Sequence, residues 1–104
     1  MSYNLFLDDE RQPHYCRNYQ GDGSIYDSEE WEVVTDFDSF YNMLSCKGIP
    51  KFVSFDYKLG GLKTGLDCAE FLKFYCEDAE KPIPPYKVHS GWPGISVKFK
   101  DILG

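Results

Sequence analysis

The sequence lacks several features that would each have pointed to a function class. No apolar run approaches the ~20 residues needed to span a bilayer, so no transmembrane helix is expected. The amino terminus has neither a basic stretch nor a small-residue cleavage site, so no signal peptide is expected. Cys16, Cys46, Cys68 and Cys76 show no Cys-x-x-Cys spacing and no accompanying His pattern. That argues against a zinc site and for reduced thiols in a cytoplasmic protein. Lys and Arg form no cluster, and the formal net charge is -6. Such a surface argues against an anionic membrane and against non-specific binding to duplex nucleic acid. It still admits a small phosphorylated ligand, which needs only one local cationic pocket. Internal repeats and low-complexity tracts are absent, and 104 residues suit one domain over 1–104.

Aromatic residues are plentiful: 8 Phe, 8 Tyr and 2 Trp within a hydrophobic content of 42%. Aromatic packing should therefore carry much of the core. Tyr3 to Leu7 reads as a central strand of a sheet covered on both faces, because it ends apolar on both sides. The stretch from Gln12 to Glu30 holds Pro13, Gly21 and Gly23 without helical period and reads as a long loop, with His14 and Arg17 inside it. Trp31–Thr35 is β-branched and aromatic, a second strand. Thr35 or Asp36 then caps a helix to Lys47, stopped by Gly48, with Phe37, Phe40, Tyr41 and Leu44 as its apolar stripe.

Lys51–Asp56 forms the third strand. Thr64-x-x-Asp67 resembles a capping box for a helix reaching about Ala79, burying Cys68, Ala69, Leu72, Tyr75 and Cys76. Pro82, Pro84 and Pro85 precede a fourth strand, Tyr86–His89. Residues 95–103 carry Ile95, Phe99 and Ile102 at helical spacing but also alternate like a strand, and we read them as helix. Strands alternating with helices imply a compact α/β, flavodoxin-like domain with a mainly parallel sheet of about four strands.

In such a sheet all strand carboxyl ends lie along one edge, where α/β folds bind ligands. Asp8, Asp9, Glu10 and Arg11 follow the first strand, Asp56 ends the third, and His89 with Ser90 ends the fourth. The acidic stretch alone fits a solvated turn equally well, but convergence of three distant sites favours a function. Three neighbouring carboxylates call for a cation, and Mg2+ (or Mn2+) held by Asp8, Asp9 and Asp56 would answer that need. Arg11 could clamp a phosphate, Ser90 could donate a hydrogen bond to it, and His89 could move a proton near neutral pH.

Four motifs in this order then support a resemblance. They are Leu5-Phe6-Leu7-Asp8-Asp9-Glu10-Arg11-x-Pro13, Ser54-Phe55-Asp56-x-x-Leu59-Gly60, Thr64-Gly65-x-Asp67 and Val88-His89-Ser90. Together they resemble the cyclic-phosphate processing receiver-like family, compact relatives of response-regulator receiver domains. The resemblance implies a shortened first crossover, its helix missing or replaced by a loop. It also implies a metal-dependent role in processing cyclic phosphate ends or cyclic nucleotides. It makes Asp8 and Asp9 a metal-binding pair, Asp56 the counterpart of the phosphate-accepting acid of true receivers, and His89-Ser90 the family's His-Ser motif. The chain departs from that pattern at Tyr57, Lys58 and Trp92. The expectation is a metal-dependent phosphoesterase-like domain binding or acting on a cyclic phosphate (a nucleotide or an RNA end). The alternative is a non-catalytic receiver-like module for binding, signalling or a protein partner.

Overall fold

The structure, a computed structural model, describes residues 3–10, 13, 30–90 and 92–104. Four strands, β1 (Asn4–Leu7), β2 (Trp31–Val34), β3 (Phe52–Phe55) and β4 (Tyr86–Val88), form one sheet in the order β2-β1-β3-β4. All three pairings are parallel, as the alternation of strands and helices requires. The helices are α1 (Phe37–Lys47), α2 (Gly65–Asp78) and α3 (Ile95–Leu103), so residues 95–103 are helical. Whether a helix or a loop joins β1 to β2 lies outside the described residues. Among the described residues, no helix is long and apolar enough to cross a membrane.

Parallel register places Leu5 beside Val53, and Leu7 beside Phe55 and Val34. These side chains share one face of the sheet, since alternate residues of a strand point the same way. They join Phe40 and Leu44 of α1, Leu72 and Cys76 of α2, and Phe99 and Leu103 of α3 in a single buried core. The other face carries Asn4, Phe6, Phe52, Ser54 and Trp31, a mixture of polar and aromatic groups. On that face Trp31 meets both Phe6 and Phe52 edge-on, at 5.9 Å between ring centres. Asn4, Phe6 and Ser54 are buried there. β1 is therefore buried on both faces, as its apolar ending indicated.

Both long helices start at capping boxes. Asp36 and Ser39 exchange bonds ahead of α1, with the Ser39 amide 2.8 Å from Asp36 Oδ1. Thr64 and Asp67 do the same ahead of α2, where the Thr64 amide donates to Asp67 Oδ2 at 2.7 Å. Tyr75, expected on the buried side of α2, is only half-buried, because its hydroxyl reaches out to the Leu44 carbonyl at the end of α1. Gly65 opens α2 against the end of β3. A Cβ at this position would stand 1.8 Å from the Asp56 carbonyl oxygen, so only glycine fits.

Candidate functional site

Each strand hands its first residue past the strand to the same edge. The Asp8 amide bonds the Val34 carbonyl, the Asp56 amide bonds Leu7, and the His89 amide bonds Phe55, at 2.9–3.0 Å. These bonds extend the ladder by one step, so Asp8, Asp56 and His89 are held in line across β1, β3 and β4. One ligand-type atom from each of the three lies within 4.8 Å of the others. Asp8 and His89 are each 1% exposed and Asp56 is 7% exposed. Two carboxylates and an imidazole so close and so dry need mutual hydrogen bonds or a cation.

The imidazole is fixed from three sides. His89 lies flat on Phe6, with ring centres 4.5 Å apart and planes 3° from parallel. Its Nε2 is 3.0 Å from Asp8 Oδ2, and its Nδ1 is 2.7 Å from Ser54 Oγ. An ionised Asp8 only accepts, so Nε2 carries the proton and donates to it. Nδ1 of the neutral ring then accepts from the Ser54 hydroxyl, which can reverse and accept when the ring is charged. Asp8 is pinned a second time, its Oδ1 accepting from the Glu10 amide at 2.9 Å. Asp56 Oδ1 accepts from the Tyr57 amide at 2.9 Å.

The fold thus brings Asp8, Asp56 and His89 together, and Ser90 is buried beside them, its Oγ accepting from the Trp92 amide at 3.5 Å. Asp9 does not join this cluster. It is half-buried, and its Oδ2 stands 3.1 Å from where a Cβ on Gly60 would be. β1 ends at Leu7 and the chain bends at Asp9 and Glu10, so Asp9 leaves the line of the sheet that Asp8 still follows. Arg11, His14 and Arg17 lie outside the described residues.

Ser54 is the functional-site residue that sequence reasoning passed over. The signal was a hydroxyl within the otherwise apolar Phe52-Val53-Ser54-Phe55, which burial obliges to find a partner. Ser54 is fully buried in mid-strand, so the Ser54–His89–Asp8 chain is not a nucleophilic triad; the serine cannot meet a substrate.

The sequence model of the cyclic-phosphate processing receiver domain matches residues 3–103. A search of curated proteins finds no match. Among solved structures, a fusion containing a yeast Spc42 trimeric coiled-coil segment aligns at a TM-score of 0.62 with 14% identity. That alignment covers 100% of this chain, which spans only 64% of the other. The phosphorylated cyanobacterial phytochrome response regulator RcpA aligns at a TM-score of 0.48 and 16% identity, over 100% of this chain and 91% of RcpA. At these identities the first likeness speaks for the fold alone.

Proposed function

This chain belongs to the cyclic-phosphate processing receiver domain family, and from that premise we propose that its acid-lined sheet edge holds a divalent cation and acts on a cyclic phosphate. The observation that carries this reading is the meeting of Asp8, Asp56 and His89 within 4.8 Å at the carboxyl edge of the sheet. The donor set fits Mg2+ or Mn2+, which take carboxylate oxygens and leave positions for other oxygens. Asp8 and Asp56 would hold the cation. When bound, it would polarise the phosphoryl group and ease ionisation of a water.

The chain's own groups supply the rest. Ser54 both donates and accepts, so His89 can gain or lose charge without stranding Nδ1. With Nδ1 protonated and donating to the Ser54 oxygen, Nε2 is the nitrogen that can release or take up a proton, beside Asp8. Ser90 offers a hydroxyl at the same edge, and Arg11 follows in sequence as the phosphate-clamping cation. A non-catalytic binding module is the competing reading, and the depth of His89 favours it: the ring is 1% exposed with both nitrogens engaged.

A cyclic nucleotide followed by 31P NMR with added Mn2+ or Mg2+, at catalytic protein concentration, separates the two. Ring opening that depends on metal and disappears in Asp56→Asn and His89→Ala supports processing. Metal-dependent binding that leaves the ring closed supports the module. Neither binding nor opening overturns both.

A further inference from the structure

The geometry points to a nucleobase-stacking platform at the rim of this edge, built from Trp92, Tyr57 and Lys58, which makes the ligand a nucleoside cyclic phosphate rather than a base-free one. The phosphate half of this inference rests on the function proposed above; the base half rests on the surroundings of Trp92.

Trp92 is 51% exposed and presents a large aromatic surface to solvent. Its ring is nonetheless held. Tyr57 meets it edge-on, with centres 5.7 Å apart and planes at 74°, and Lys58 Nζ lies 4.9 Å from its centre. The backbones beneath are anchored too. The Trp92 carbonyl accepts from the Ile95 amide at the start of α3, and the Tyr57 carbonyl accepts from the Gly65 amide at the start of α2. An aromatic ring fixed in this way loses little entropy when another ring lies on it.

The platform is tied to the acid edge rather than merely near it. The Tyr57 amide donates to Asp56 Oδ1, and the Trp92 amide donates to Ser90 Oγ. Trp92 stands two positions after Ser90 in sequence, which limits the backbone distance between them to roughly 7 Å. A ligand engaging both must join an anionic phosphate to a flat ring over a short span, as a mononucleotide does. Lys58, its Nζ over the Trp92 ring, adds a positive charge at the platform, on an acidic protein that would otherwise repel such an anion. Stacking on an aromatic side chain tolerates any base, so the platform selects the class and not the sequence.

The test follows the indole N–H of Trp92 and the amides of Asp8 and Asp56 by NMR in Mg2+ buffer. Three probes are titrated: adenosine 2′,3′-cyclic phosphate, glycerol 1,2-cyclic phosphate and adenosine. The cyclic nucleotide should bind about tenfold to a hundredfold more tightly than the glycerol compound. Trp92→Ala should bring that ratio close to one, and Trp92→Phe should retain part of it. Equal affinity for the two cyclic phosphates in the wild type, or a ratio that survives Trp92→Ala, overturns the platform. If the acid-edge amides ignore Mg2+ and the glycerol compound while adenosine still moves the Trp92 indole, the cyclic-phosphate reading falls and the base platform stands. If neither adenosine nor the cyclic nucleotide moves the indole, the platform falls whatever the acid edge does.

Discussion

Ser54→Ala tests the buried chain at the heart of the site. Ser54 is fully buried, and its Oγ stands 2.7 Å from His89 Nδ1. The substitution deletes one oxygen and almost no volume, so the packing term is small and the lost hydrogen bond dominates. Depriving a buried polar group of a partner costs about 1–3 kcal/mol, and we take about 2 kcal/mol here. Unfolding entropy of about 2.1 cal/mol/K per residue gives roughly 0.2 kcal/mol/K for a chain of this length, so Tm should fall by about 9 °C. The assay is thermal unfolding by circular dichroism, paired with a double-mutant cycle. His89→Phe keeps a ring on Phe6 but removes both nitrogens, so Ser54→Ala on that background should cost far less than on the wild type. The same loosening of His89 against Asp8 should weaken Mg2+ binding by about tenfold. A Tm drop under about 2 °C, or a double mutant that is simply additive, would refute the reasoning, because Nδ1 would then not depend on the serine.

Other consequences can be checked on the same protein. Gly65→Ala would raise helix propensity by about 1 kcal/mol at an ordinary helical site. Here its Cβ meets the Asp56 carbonyl at 1.8 Å, so the urea midpoint should fall instead and the Asp56 amide should shift; a stabilised variant would sink this account. Asp56→Asn removes one of two crowded charges. It should be no less stable than the wild type without metal, and should lose the Mg2+-dependent rise in stability, about 2.7 kcal/mol at a hundredfold excess over Kd. Alkaline stability should reflect the core thiol. Burial first, then Asp67 and Asp36, pushes the Cys68 thiol from 9.0 up to about 12. The folded protein keeps that proton after the unfolded chain has lost it. The stabilisation is therefore complete below pH 9 and lost as pH climbs towards 12, with a slope of about 1.4 kcal/mol per pH unit. Cys68→Ala should flatten the slope without abolishing it, since burial also raises Cys76 and Tyr86. An unchanged slope between pH 9 and 11 would count against the buried thiol as its source.

What could be read in one dimension was whatever is decided locally or by topology. Thr64-x-x-Asp67 closes its own capping box within four residues, and the helix behind it starts where that box predicts. The meeting of Asp8, Asp56 and His89 needed only two steps: apolar runs that end in polar residues, and parallel pairing that gathers those ends at one edge. Asp9 stands outside the cluster of Asp8, Asp56 and His89. Sequence adjacency suggested a pair, whereas the bend that follows β1 carries Asp9 towards Gly60, a turn that spacing alone does not reveal. Ser54 was harder, since its partner lies 35 positions away and reaches it only when β3 and β4 pair with Ser54 next to Lys87 and His89 one step beyond Val88. That pairing is also what changes the chemistry open to His89. On a solvated strand end the imidazole would be a free proton carrier; seated on Phe6 with a hydroxyl at Nδ1 and a carboxylate at Nε2, it can move a proton only at the nitrogen facing Asp8. Any acid–base role for His89 is thereby coupled to whatever occupies the acid edge, so metal occupancy and proton transfer at this site should rise and fall together.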